Sequence, residues 1–403
     1  MYDMVLVSLP EMDKDKPSPA LGFIKAYIEQ HGFTVKTIDG NQIGDIDSIH
    51  LTISQYEYKY LGISVFSYEQ VDFALELGEE YENVIYGGSG VHKDWPHGDY
   101  IVGEGELALL EYLRGNKYYP GINGRAQVQI PDLAILPPPD YSDLNHSAYT
   151  SAVISGSRGC VRACTFCDVA SIWPKYRFLG GERIAQHMHA VSTQTGFKSI
   201  GFSDSLVNGS MNHFREMCSS LANIDKKIKW SGQFIIRPKK TFLEKDFNNL
   251  ANSGCSGLTI GIESGSEAVR YHMKKKFSDD DLEWFITNIG DRGIKMKFLL
   301  IVGYPTETKE DFLETLEMLK KFKRYAPTTE ISPHMMLVDK NTPLDYNHRD
   351  LYDDFGFKWT NENSDYDERY RRFLKVFEVG TALGYKFKDH ATNKIEKFNT
   401  NNP

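Results

Sequence analysis

Apolar and polar positions along this 403-residue chain fall into two successive series of alternating strand-like and helix-like runs. Within residues 1–115, the runs 4–9, 34–38, 60–65 and 84–86 are short, apolar and β-branched, as in the buried strands of a parallel sheet. Between them, 20–31 repeats Leu21, Ile24 and Ile28 at helical spacing and stops at Gly32, and 70–82 reads as a second helix. Within residues 151–345, six further β-like runs occur at 152–155, 199–202, 229–236, 257–262, 296–302 and 330–337. Helical stretches separate them at 182–194, 211–222, 244–252, 279–292 and 308–322. Strand–helix alternation predicts an α/β fold with parallel sheets. Six units are two short of a closed eight-stranded barrel, so this region predicts a partial (βα)6 TIM-like barrel. Residues 116–150, centred on Pro137-Pro-Pro139, read as an extended connector between the two domains. Residues 346–403 form a C-terminal extension with one amphipathic helix over 366–383, in which Arg369, Arg371 and Arg372 are expected on a solvated face.

Composition narrows the function classes. The net charge is −9 and the densest basic groups are Lys274-Lys-Lys276 and Arg369-Tyr-Arg-Arg372, so no stripe suited to nucleic acid emerges. The longest strongly apolar run, Phe298-Leu-Leu-Ile-Val302, is far too short to span a bilayer. The start has no basic segment and no cleavage site, which predicts no secretory signal and a cytoplasmic location. Two of the five cysteines, Cys218 and Cys255, stand alone and read as small buried apolar residues.

The other three are Cys160, Cys164 and Cys167, in Ser157-Arg-Gly-Cys-Val-Arg-Ala-Cys-Thr-Phe-Cys-Asp168. Three thiolates in one short loop can reach one metal centre, and the run supplies no fourth ligand. A structural zinc site wants four protein ligands, and the nearest following histidine, His187, lies on a predicted helix. A four-iron cluster held by three cysteines keeps one iron open. The loop follows the run 152–155, at the strand end where α/β folds place ligands. Gly156 and Gly159 let its backbone curl, and Phe166 can shield a cluster from water. A zinc site completed by a distant residue is the competing reading of the same spacing.

Cys160, Cys164, Phe166 and Cys167 together resemble the signature of the radical S-adenosylmethionine (SAM) enzymes. The resemblance implies a [4Fe-4S] cluster whose open iron chelates SAM's amino and carboxylate groups. Reductive cleavage of SAM then gives methionine and a 5′-deoxyadenosyl radical, with electrons from an external flavodoxin- or ferredoxin-type donor. Further strings match one large subfamily. Leu21-Gly22, Gly87-Gly88 with His92, and Asp99-Tyr-Ile-Val-Gly-Glu-Gly-Glu106 resemble its N-terminal Rossmann-like, cobalamin-binding-like domain. Leu136-Pro-Pro-Pro-Asp140 resembles its interdomain segment. Phe202-Ser-Asp-Ser-Leu-Val-Asn208 implies that Asp204 and Ser205 meet SAM's amino group, a helix cap being the alternative. Arg237 ends the third barrel strand and is a candidate for SAM's carboxylate or for Asp204. Gly261-Ile-Glu-Ser-Gly-Ser-Glu267, with Met273-Lys274 downstream as in the family's Met-x-Lys, implies that Glu263 and Ser264 contact SAM. The run 300–311 implies an adenine contact at Gly303, with Thr306 where the family has glycine. Asn341-Thr-Pro-Leu344 resembles the family's Gly-Thr-Pro-Leu.

One departure bears on cobalamin. The stretch Pro10-Glu-Met-Asp-Lys-Asp-Lys-Pro-Ser-Pro19 lacks the Asp-x-His-x-x-Gly of many cobalamin domains. With the cofactor, methyl transfer to an unactivated carbon of a small-molecule or peptide substrate is expected. Without it, hydrogen abstraction leading to rearrangement or oxidation is the alternative. A non-catalytic metal-cluster sensor is the rival of another class.

Overall fold

The computed structural model describes residues 1–10, 15–124, 128–224, 227–338, 342–348 and 359–387. Residues 11–14 of the proline-rich stretch, Asn341, and 349–358 and 388–403 of the C-terminal extension lie outside the described residues. The chain divides into two compact units. One comprises Met1–Gly156, Arg177–Ser203 and Ile224–Lys229; the other comprises Ser157–Tyr176, Asp204–Asn223 and Trp230–Pro403.

The first unit is built on a parallel sheet of β1 (Tyr2–Ser8), β2 (Val35–Asp39), β3 (Tyr58–Ser64), β4 (Val84–Gly87) and β5 (Asp99–Tyr100), in the order β2-β1-β3-β4-β5. Five consecutive residues of β1 are buried, which explains why it reads as an unbroken apolar run and not as an alternation. Val5, Val7, Ile38, Leu61, Ile63 and Val84 form much of its core. Helix α1 (Pro19–Gln30) starts with proline in its first turn, where no amide partner is lost. A Cβ on Gly22 would stand 2.5 Å from the Tyr141 ring, and Asp140 N–H donates to the Gly22 carbonyl at 3.0 Å. Asp143 accepts from Lys25 at 2.7 Å and from Lys36 at 3.1 Å. The segment Asp140–Asp143 is therefore packed onto α1 and β2. Helix α2 (Gly105–Leu113) follows β5. In the same unit β6 (Ala152–Ile154) pairs in parallel with β7 (Ser199–Phe202), joined through helix α3 (Gly181–Thr195).

The second unit carries β8 (Lys229–Phe234), β9 (Cys255–Glu263), β10 (Lys295–Val302), β11 (Thr329–Met335) and β12 (Lys386–Phe387). Each pairs in parallel with the next. In β10 burial alternates along the strand, with Met296, Phe298, Leu300 and Val302 inward. Helices α4 (Met211–Leu221), α5 (Glu267–His272), α6 (Asp279–Asp291), α7 (Lys309–Lys321) and α8 (Tyr366–Ala382) accompany these strands. All six expected barrel strands form; β12, at two residues, is too short to carry a sequence signal.

Candidate active site

The cysteine loop lies in the second unit, and its three thiols are free of disulfides. Cys164 is buried, Cys160 and Cys167 half-buried. The backbone N–H of Arg162 points to Cys160 Sγ at 3.4 Å, and that of Cys167 donates to the Cys164 carbonyl at 3.3 Å. These contacts curl the loop. It is then stitched to two neighbours. Thr165 donates its N–H to Met273 at 3.4 Å and accepts from Leu344 N–H at 2.8 Å. Its hydroxyl lies 2.8 Å from Tyr304 Oη, which also reaches the His272 carbonyl at 3.4 Å. Burial pushes the Cys164 thiol up and carries Cys167 to about 11. Binding iron therefore releases protons from these thiols.

The donor set fits a multi-iron centre. Three free thiols on one short loop can each hold a separate iron of a single cluster.

Glu263 ends β9 at a register shift and adopts a left-handed backbone, φ 69°. Such a conformation is costly for a residue with a side chain and is typical of sites where geometry is imposed. Its carboxylate pairs with Lys275 Nζ at 2.7 Å, each side chain 8% exposed. The ammonium also stands 5.6 Å from the Phe166 ring centroid. Burial pulls the lysine down, but the charges of Glu263 and Cys164 outweigh it, and the net direction is up.

Beyond Glu263 the chain turns sharply. A Cβ on Gly265 would meet the Thr315 backbone at 2.4 Å, so only glycine fits. Ser264 Oγ is buried and accepts from Ser266 N–H at 3.1 Å. Arg270, fully buried, donates to the carbonyls of Ser264 and Gly265 at 2.9 and 2.7 Å. Asp204 is buried and accepts from Ser157 Oγ at 2.5 Å, while Ser205 is half-buried. The next helix, α4, is capped by Ser210, so neither Asp204 nor Ser205 is its cap. Arg237 donates to the Asn208 carbonyl at 2.7 Å and to that of Gly209. Its Nε is buried with no protein partner. Burial and the neighbouring Arg162 both lower its pKa.

Gly303 has φ 77°, and a Cβ there would lie 2.2 Å from Arg369 Cγ. The glycine thus makes room for Arg369, a reason distinct from the expected approach of adenine. Gly303 N–H donates to Glu307 Oε2 at 2.6 Å, and Arg372 Nη1 reaches the same oxygen at 2.9 Å. Arg369 stacks on Trp359 at 3.8 Å and donates to its carbonyl at 2.8 Å. The expected solvated arginine face is therefore corrected. Arg369 and Arg372 are buried, and only Arg371, 70% exposed, faces water. Residues three apart share one helix face, and here that face is anchored on the 303–307 turn.

Glu307 is itself unusual. Burial raises its pKa from 4.5 to about 7 despite Gly303 N–H and Arg372, and Oε1 has no partner. The folded state thus holds this proton more tightly than the unfolded chain does. Its contribution is full below about 4.5 and is lost as pH rises through about 7. Glu307→Gln should flatten the decline of stability across that window, measured by urea unfolding at several pH values; an unchanged slope would refute the assignment.

In the first unit, Glu104 is buried and bidentate to Arg177, at 2.5 and 2.8 Å. Its carboxylate ties that unit together. Gly88, φ 117°, packs against the Val65 carbonyl, whereas Gly87 has open space where a Cβ would stand. His92 is exposed, its Nδ1 2.9 Å from the Lys93 carbonyl.

Residues 154–319 match the Radical SAM superfamily. The chain carries a radical SAM domain, the core of an enzyme. Among curated proteins it is 25% identical over 276 residues to a putative methylthiotransferase of Methanocaldococcus jannaschii, covering 61% of this chain and 60% of that protein. It is also 25% identical to an uncharacterized methyltransferase of Pyrococcus horikoshii, covering 79% and 76%. Among solved structures, the radical SAM methyltransferase TsrM from Kitasatospora setae, with cobalamin and a [4Fe-4S] cluster bound, superposes with TM-score 0.74. That match is 15% identical and covers 94% of this chain and 89% of the other. It shows the fold: a Rossmann-like domain followed by a partial radical SAM barrel.

Sequence reasoning missed Arg162, Lys275, Glu307 and Arg372. Lys275 was legible, since Met-x-Lys spacing from Met273 falls on it and not on Lys274. Glu307 and Arg372 lie 65 residues apart, and no local pattern links them.

Proposed function

We propose that this chain is a cobalamin-dependent radical SAM methyltransferase acting on an unactivated carbon of a small-molecule or peptide substrate. The observation that carries the reading is the loop of three free thiols, Cys160, Cys164 and Cys167, stitched to Met273 and Tyr304. When bound there, a [4Fe-4S] cluster with SAM supplies reductive sulfonium cleavage, with electrons from a flavodoxin- or ferredoxin-type donor.

The chain's own residues bind and orient. Cys160, Cys164 and Cys167 hold the iron, and Phe166 keeps water from it. Asp204, set by Ser157, and Glu263, set by Lys275, offer carboxylates to SAM's ammonium. Arg237, with its unpartnered buried Nε, and Arg162 beside it offer donors to SAM's carboxylate. Ser205, Ser264 and Gly303 complete the proposed binding surface. Cobalamin is assigned to the N-terminal domain, 1–115, on the likeness to TsrM and the open space at Gly87. The division into that domain, the connector 116–150, the barrel 151–345 and the extension 346–403 belongs to the same proposal. Among the described residues no helix is long and apolar enough to cross a membrane.

An anaerobic assay of the reconstituted, reduced protein with SAM, with and without cobalamin, tests this. The expected result is about four irons, retained corrinoid, and SAM-derived products. Iron and 5′-deoxyadenosine without retained corrinoid would replace methyl transfer by hydrogen abstraction. Stoichiometric zinc with intact SAM would overturn the enzyme reading.

A further inference from the structure

Among the described residues, six that are not glycine have positive φ, and three of them are Glu263, Lys274 and Lys276. Left-handed backbone is uncommon for such residues and persists only where its surroundings impose it. All three serve one contact. Glu263 bends at the end of its strand, and Lys274 and Lys276 flank Lys275, so that the two buried side chains meet at 2.7 Å. Neither charge is exposed enough for a surface salt bridge to explain it, and burying a pair in this way seldom adds stability by itself.

The position of the pair says what it is for. The segment that carries Lys275 is bonded to the cysteine loop through Thr165 N–H and the Met273 carbonyl at 3.4 Å, and through Thr165, Tyr304 and the His272 carbonyl. The ammonium itself faces the Phe166 ring, one residue before Cys167. The positive end of the pair thus faces the ring that precedes Cys167.

We propose that Lys275 is a potential-setting residue: its fixed ammonium, oriented by Glu263, makes the cysteine-bound cluster easier to reduce. This deepens the reading above and rests on it. A cation near a cluster favours the form with one more electron, and a buried one does so with little screening by salt. No group but the external donor and the cluster changes oxidation state; Lys275 neither gives nor takes an electron.

The test is an EPR redox titration of the reconstituted protein before any SAM is added, so that SAM binding by Glu263 does not enter. Lys275→Gln should make reduction at least tenfold less favourable, a midpoint about 59 mV lower for one electron. Lys275→Arg should keep the wild-type midpoint. Glu263→Gln, which frees the cation from its partner, should move it upward. An unchanged midpoint in Lys275→Gln, or shifts of the same sign in both neutral variants, would overturn the proposal. If Lys275→Gln does not retain iron, the upward shift of Glu263→Gln decides alone. A wild-type protein without a four-iron cluster is a different failure, that of the enzyme reading itself.

Discussion

Cys164→Ala should reduce iron after anaerobic reconstitution from about four per chain to near zero and abolish SAM cleavage, while leaving the fold intact. The reasoning rests on ligand count. The three thiols of one loop are the whole donor set of the proposed cluster, so each is needed. Cys164 is the most informative of the three because it is buried and lies beside Thr165, whose backbone and hydroxyl bonds hold the loop. Those bonds do not involve sulfur, so the alanine variant should keep the native circular dichroism and melting temperature of the metal-free protein. Cys218→Ala serves as the control. Its thiol is buried in the apolar face of α4, and its loss should cost stability but no iron. Full iron retention by Cys164→Ala would sink the ligand assignment. Loss of fold along with iron would show that the cysteine acts mainly as a core residue.

What the sequence revealed about this protein follows the range of the interactions involved. β1 and β10 were legible because burial imposes a local pattern, continuous in one and alternating in the other. The cysteine loop was legible because its chemistry is confined to eight residues. Glu263 was legible as a carboxylate at the end of an apolar strand. Its partner, Lys275, was not read from the sequence, and its left-handed backbone carried no signal at all. The C-terminal helix marks the limit. Its boundaries were read within one residue, Tyr366–Ala382 against 366–383, but its charged face was assigned to water. Arginine is rarely fully buried unless paired, and the partner here, Glu307, sits 65 residues earlier in the chain. Only the fold brings the two together.

That long-range pair sets the second large expectation. Arg372→Ala should destabilise the protein by about 3–5 kcal/mol, the usual cost of leaving one member of a buried ion pair uncompensated. Glu307 and Arg372 qualify, with side chains 1% and 4% exposed. Besides Glu307 Oε2, the guanidinium donates to the carbonyls of Glu307 and Asn363, both at 3.1 Å, so its removal orphans several acceptors. For a domain of roughly 200 residues each kcal/mol is worth about 2–4 °C, so the melting temperature should drop by roughly 10 °C. Glu307 can relieve part of the strain by keeping its proton, which its raised pKa already favours near neutrality, so the loss should deepen as pH rises above 7. The double variant Glu307→Leu with Arg372→Met should regain most of the lost stability, because no charge is then left buried. A second consequence reaches the site, since Gly303 N–H is held by the same carboxylate oxygen. Arg372→Ala should weaken SAM binding at temperatures where the fold and the iron are intact. A melting temperature within about 1 °C of wild type, or a double variant no better than the single, would show that this buried pair does not fasten the helix to the turn.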